Sequence, residues 1–218
     1  MKRVSHLGVI LDVLIVSSGV SLIGWGIIAC RESLGVGYWV DLALTLTGAT
    51  FFILYIICAL GLIFSVCPLK EGEVIPGTPE YVVYSAYVLL WANILHPLSR
   101  LLPPILSRPF YQLLGAKLGS NTYTAGVIFD PFFVVIGSNV LLGADSFLIP
   151  HVIEDDRNAH FPIRIGDDVT IGARAIVMAG CVIGNRAIVA MNSVVAKHTV
   201  IGDNEIWGGT PARLIKHR

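Results

Sequence analysis

Residues 165–206 read IGDDVT IGARAI VMAGCV IGNRAI VAMNSV VAKHTV IGDNEI. In sixes, the first positions are Ile165, Ile171, Val177, Ile183, Val189, Val195 and Ile201, all aliphatic. The fifth positions are Val169, Ala175, Cys181, Ala187, Ser193, Thr199 and Glu205, small or β-branched except the last. Glycine recurs at second positions, at Gly166, Gly172, Gly184 and Gly202. A helix repeats every 3.6 residues and a simple strand every 2, so neither predicts this pattern. A strict six means a short strand, then a corner, repeated, with Gly, Asn and Asp at corners because they tolerate left-handed backbone. Three such units close one triangular coil, and the coils stack as parallel strands. So narrow a prism has room for one large and one small side chain per side, which accounts for the alternation. Upstream the same period runs at Leu118, Thr124, Asp130, Ile136, Leu142 and Leu148, ragged at first and clean from Ile136.

These hexads, with the segment IGDNEIWGGTPARLIK at their end, resemble the hexapeptide-repeat acyltransferases, over about residues 118–218. The resemblance implies an all-β catalytic domain, a left-handed parallel β-helix, whose handedness departs from the usual right-handed crossover. Residues 118–153 make two coils and residues 165–206 make seven sides. The residues between them, Glu154 to Arg164, fall outside the period. An insertion leaving a regular prism at a corner is where a site is expected.

Net charge is zero, with 15 basic and 15 acidic side chains, so no basic excess is present to hold a nucleic acid. Hydrophobic residues make up 55% of the chain and charged residues 14%, against about 25% charged in an average soluble domain. The shortage is concentrated at the start. Val9 to Ala29 carries one charge, Asp12, and Leu42 to Val66 carries none. Roughly 20 apolar residues cross a bilayer as a helix, so both runs are long enough. The first is too long for the apolar part of a signal peptide, and Ala29-Cys30-Arg31 is a poor cleavage site. Basic residues at Lys2 and Arg3, then at Lys70, Arg100, Arg108 and Lys117, predict a cytoplasmic start and a cytoplasmic catalytic domain. The expectation is an integral protein of a bacterial-type inner or plasma membrane. Glu71 to Glu80, with Gly72, Pro76, Gly77 and Pro79, reads as a break. Tyr81 to Leu95 is apolar but short and rich in Tyr and Trp, and Pro97, Pro103, Pro104 and Pro109 divide the next stretch into short pieces. That predicts interfacial or amphipathic helices, with a third span as the alternative. The expected plan is two transmembrane helices in 1–67, linker and interfacial helices in 68–117, the β-helix in 118–206 with an inserted loop 154–164, and a tail in 207–218.

Two histidines stand at the insertion: His151, at the corner where the loop departs, and His160, within it. Histidine titrates near neutrality and is the commonest general base. Similar acyltransferases use a histidine beside such a loop to deprotonate an acceptor that attacks an acyl-CoA thioester. His151 has the better position, and His160 stays open. Glu154, Asp155 and Asp156 are carboxylates able to orient an imidazole. Aligned across the insertion, Gly180 shares the corner of His151, where its N–H is a candidate oxyanion donor. His198 falls two coils from His151, about 9.6 Å away, too far for a hydrogen bond. The resemblance further implies CoA contacts from Ala173, Ala190, Lys197, Trp207, Pro211 and Arg213, with the two cations facing phosphates. Acetyl-CoA or another acyl-CoA is the implied donor substrate, with no metal. Membrane lipids, a lipid-linked or membrane-associated acceptor and two more copies, as a homotrimer, are the implied partners.

Other functions of this fold fit less well. A zinc carbonic anhydrase needs three histidine ligands. Counted by eighteen, the residue one coil before His151 is Phe133. The four cysteines show no CxxC pair and read as reduced. A non-catalytic membrane scaffold is the other alternative, and the loop histidine and TPAR tail count against it.

Overall fold

The computed structural model describes residues 5–34, 37–154 and 157–218. It divides into two units, Met1–Leu69 with Pro76–Trp91, and Lys70–Ile75 with Ala92–Arg218.

The first unit is helical: α1 (His6–Leu34), α2 (Tyr38–Val66) and α3 (Pro79–Leu90). Thr78 caps α3 by accepting the Tyr81 N–H, and Pro79 fills the first position, where a missing N–H costs nothing. Small residues bring the backbones together. A Cβ added at Gly8 of α1 would stand 2.5 Å from Ser85 Cβ of α3, and one at Gly48 of α2 would meet Ile27 of α1. Ser18 and Tyr55 hydroxyls bond across α1 and α2 at 2.7 Å.

Among the described residues, three helical stretches are long and apolar enough to cross a membrane: His6–Leu34, Tyr38–Val66 and Pro79–Leu101. The third is longer than the sequence suggested. Pro97 does not cut the chain, because the helix widens through a π-helical turn, Trp91–Leu95, into α4 (His96–Leu101). Pro97 then sits in the first turn of α4, where no helical N–H is lost. The stretch read as interfacial is therefore 23 residues of near-continuous helix, with mean hydropathy 1.2 against 2.1 and 2.5 for the other two.

In the second unit, α5 (Pro104–Leu113) is amphipathic. Its buried face docks on the prism: Ser107 Oγ accepts the Thr124 N–H and the Tyr111 hydroxyl accepts the Ile128 N–H, each at 3.2 Å. The prism has three parallel faces. One holds Lys117–Leu118, Val134–Ile136, Ile163–Ile165, Val182–Ile183 and Val200–Ile201. The next holds Tyr123–Thr124, Leu141–Leu142, Thr170–Ile171, Ile188–Val189 and Glu205–Gly209, with Ala212–His217 folded back antiparallel. The third holds Val127–Ile128, Phe147–Ile149, Ile176–Met178 and Val194–Val195. Every first-position residue from Ile165 to Ile201 is buried, as are Val169, Ala175, Cys181, Ala187 and Ser193. Glu205, the exception in its column, turns its carboxylate to the Gly202 N–H and the Trp207 indole. Those bonds, the Gly202 one first, hold its carboxyl below the usual range.

Two irregularities build the site. Leu118 pairs with Ile136 and Thr124 with Leu142, eighteen residues on, but Ile128 pairs with Leu148, twenty on. The corner before Ile128 is two residues short, closed by Thr124 Oγ1 accepting the Gly126 N–H. The missing residues return after Ile128, in Asp130 and a 3-10 turn, Pro131–Phe133. Asp130 is therefore not an inward first-position residue, and Phe133 is not the coil-mate of His151. The second irregularity is the insertion. Ile149 pairs with Met178 and Ile163 with Val134, so the chain leaves the prism at Pro150 and rejoins it after Pro162. This corrects the expected loop 154–164: Ile163 and Arg164 belong to a prism strand, and the excursion begins four residues earlier.

The excursion is an antiparallel hairpin of His151–Glu154 and Arg157–His160, with His151 opposite His160. A third strand, Gly72–Glu73, pairs antiparallel with the returning strand, Gly72 opposite His160. The stretch read as a break thus contributes a strand.

Candidate active site

The two-residue slip leaves Asp130 at a corner with left-handed backbone, φ 42° and ψ 64°, which Asp tolerates. Its side chain is 4% exposed. The carboxylate stands 2.5 Å from His151 Nδ1, one coil on. With Asp130 accepting, Nδ1 carries the proton and Nε2 keeps its lone pair. The His151 side chain is 24% exposed, and its ring meets Phe129 edge-on at 5.9 Å. The site thus contains a half-open imidazole fixed in tautomer and orientation by a buried acid. Sequence reading missed Asp130 because it followed the six-residue phase through a corner that breaks it.

His160 has a different environment. It is fully buried, its ring stacked on Phe133 at 4.7 Å and 24°. Burial, partly countered by Asp130 and reinforced by His151, lowers its pKa to about 4. A ring with no exposed surface does not reach a substrate unless the hairpin opens.

Glu154 and Lys197 come together, contrary to the separate roles expected of them. Lys197 Nζ donates to Glu154 Oε1 at 2.5 Å. Glu154 therefore does not orient His151, and Lys197 meets a phosphate only by exchanging this exposed partner. The pair borders a cleft of about 140 Å³ with Arg157, Phe161 and His198. Asp155 and Asp156 lie outside the described residues. Gly180 has φ +74°, and its N–H donates to the Phe161 carbonyl at 3.0 Å, so that N–H is not free for an oxyanion. A Cβ at Gly180 would collide with the imidazole of His198, which packs on Phe161 at 4.8 Å. The glycine makes room for His198.

The remaining expected CoA contacts lie on another corner, between the second and third faces. Ala190 donates its N–H to the Trp207 carbonyl, and the Asn192 N–H donates to the Ala173 carbonyl. Trp207 lies beside Val189 in the ladder, its indole N–H bound to Glu205 at 2.8 Å. Thr210 and Pro211 form the turn of the closing hairpin, where Thr210 Oγ1 donates to the Asn192 carbonyl at 3.4 Å. Arg213 is exposed and donates to the Ala212 carbonyl. One chain therefore splits the expected residues between two corners: His151, Gly180 and Lys197 on one, Ala173, Ala190 and the closing hairpin on the other.

Two family models match the prism. One, described as bacterial transferase hexapeptide (six repeats), covers residues 162–197. The other, described as the hexapeptide repeat of succinyl-transferase, covers residues 133–156. Among solved structures, the chain is similar to a hexapeptide-repeat-containing acetyltransferase complexed with acetyl coenzyme A from Vibrio cholerae O1 biovar eltor. Identity is 30%, over 47% of this chain and 60% of that one, with TM-score 0.44. The match thus spans less than two thirds of that protein's length. It is also similar to a hexapeptide-repeat-containing acetyltransferase from Vibrio cholerae, at 22% identity over 67% of this chain and 95% of that one, TM-score 0.52. A maltose O-acetyltransferase from Clostridium difficile 630 is similar at 22% identity over 51% and 74%, TM-score 0.38. No curated protein sequence matches the chain. The chain carries the hexapeptide repeat, and its prism is a left-handed parallel β-helix.

Proposed function

We propose that this protein is a membrane-anchored acyltransferase that moves an acetyl group from acetyl-CoA to a hydroxyl or amine of an amphiphilic acceptor, such as a lipid-linked sugar or envelope glycan. The observation that carries the reading is the His151–Asp130 pair at the foot of the hairpin: a partly exposed imidazole whose Nδ1 faces a buried carboxylate 2.5 Å away. That is the arrangement of an oriented general base. Transferases named in the repeat models, and acetyl coenzyme A bound in one similar structure, favour this chemistry and this donor.

In this mechanism, His151 Nε2 takes the acceptor proton as the acceptor oxygen or nitrogen attacks the thioester carbonyl. A C–O or C–N bond forms, and the tetrahedral oxyanion collapses with cleavage of the C–S bond. The leaving CoA sulfur takes the proton back from the imidazolium, so the base is restored. Asp130 fixes the tautomer and stabilises the transient positive charge. Lys197 and Arg213 are the cations offered to CoA phosphates.

The apolar helices motivate the acceptor class, because an anchor has little use with a freely soluble acceptor. A cytoplasmic catalytic domain fits the basic residues at Lys2, Arg3 and Lys70 with two spans, His6–Leu34 and Tyr38–Val66. Gly72–Glu73 pairs with Arg157–His160, so Pro79–Leu101 leaves from and returns to the side of the prism and is read as interfacial. The separation of the two corners motivates a trimer: a threefold assembly brings the His151 corner of one prism against the closing hairpin of the next. Native mass spectrometry of active, detergent-solubilised protein tests that, and a monomeric mass contradicts it. Mass spectrometry of lipid extracts, with and without active protein, tests the function. An extra 42 Da on a lipid-linked glycan supports it; extracts alike in every acylated species overturn it.

A further inference from the structure

Residues 70–75 read KEGEVI, three charged residues around Gly72 and then two apolar ones, between the second apolar helix and Pro76. They belong to the prism unit, and they form the third strand of the sheet that carries both hairpin histidines. The strand order places the returning strand, Arg157–His160, in the middle. Gly72 lies opposite His160, and His160 lies opposite His151, in one row. The Val74 N–H donates to the Asn158 carbonyl at 2.7 Å, and the Val74 side chain is 4% exposed. Ion pairs flank the strand: Glu71 with Arg164 at 3.3 Å and Glu73 with Arg157 at 3.7 Å.

An isolated two-stranded hairpin is marginal in water, and a third strand with buried apolar contact is what makes such a unit hold. Without residues 71–74, the Arg157–His160 strand becomes an open edge, and the strand that begins at His151 loses the support behind it. We infer that the linker strand is a positioning element for the reaction: Val74 and its neighbours order the hairpin and so hold His151 against Asp130 at the angle catalysis needs. This rests on His151 being the general base. The ion pairs are exposed and contribute little by themselves; the backbone bond and the buried Val74 carry the effect.

The test uses the full chain in detergent. Val74→Pro keeps an apolar side chain but removes the N–H that meets Asn158, while Val74→Ile keeps both and serves as the conservative rescue. Gly72→Ala is a second route. A Cβ there meets nothing within 4 Å, yet φ is +103°, so the change strains only the strand's own backbone. Hydrogen exchange at 151–154 and 157–160 is measured beside acetyl-transfer kinetics. The expected result is exchange at least roughly tenfold faster in both hairpin strands for Val74→Pro and Gly72→Ala, with Ile163–Ile201 protected as in the wild type. The expected kinetic result is a roughly 10- to 100-fold loss in kcat with KM for acetyl-CoA within about twofold, as misplaced reacting groups give. Val74→Ile should match the wild type. Unchanged exchange in both variants overturns the inference, as does faster exchange with undiminished kcat. Exchange reads the strand's hold on the hairpin without turnover, so a wild-type protein that transfers no acetyl group sinks the proposed function while the strand is still judged.

Discussion

Asp130→Asn is the sharpest perturbation of the site. Asparagine has the same shape and tolerates the left-handed backbone at φ 42°, so the corner and the 3-10 turn behind it survive. Its amide oxygen still accepts from His151 Nδ1, but the negative charge is gone. Two contributions vanish in the transition state, where the imidazole is becoming positive. A charge-assisted hydrogen bond is worth about 1.5–3 kcal/mol. Opposite charges about 4 Å apart attract by about 4 kcal/mol at an effective dielectric of 20. These overlap, since the bond is largely electrostatic, so the combined loss is about 2–4 kcal/mol, or roughly 30- to 1,000-fold in kcat. KM for acetyl-CoA should not move, because Asp130 is buried against His151 and offers almost no surface to a ligand. The assay is release of CoA thiol from acetyl-CoA in the presence of a membrane-lipid extract, with thermal melting as the control for folding. A kcat within about twofold of wild type, in a protein that melts normally, refutes the pairing as a catalytic device.

Gly180→Ala should destabilise the prism by about 1–3 kcal/mol, because a left-handed φ of +74° and a collision with His198 coincide; a melting point equal to wild type contradicts this. Ile171→Ala empties a fully buried first-position site and should cost about 2–5 kcal/mol, read by denaturant melts. His160 sets a pH dependence. Its pKa falls from 6.5 to about 4 on folding, so as pH drops the unfolded chain takes a proton the folded one refuses. Its contribution is therefore complete above about pH 6.5 and lost between there and about pH 4, in total about 3 kcal/mol. His160→Phe keeps the stacking and removes the titration, so its stability should fall by that much less over the same range.

The prism was legible because its physics is strictly periodic: a narrow interior admits one large and one small residue per side, and the hexads from Ile136 onward obey it. Legibility ended where the period slips. Gly126 and Thr124 shorten one corner and Pro131–Phe133 lengthens the next, and only the folded chain shows that the slip delivers Asp130 to His151. The loop boundary shifted for the same reason: Ile163 and Arg164 are strand residues that periodicity counted as insertion. Lys197 and Glu154 lie 43 residues apart, and nothing local marks them as partners. The linker strand is two residues long between glycine and proline signals, too short for alternation to register. Pro97 misled because a proline breaks a helix only where an N–H is needed, and the wide turn before it removes that need.

The most direct measurement is transfer of radiolabelled acetyl from acetyl-CoA into membrane lipid by purified protein and by His151→Ala. The account predicts labelled lipid from the wild type and a roughly 10²- to 10⁴-fold lower rate from the variant, with the prism's melting point unchanged. Equal rates from a folded His151→Ala protein contradict it.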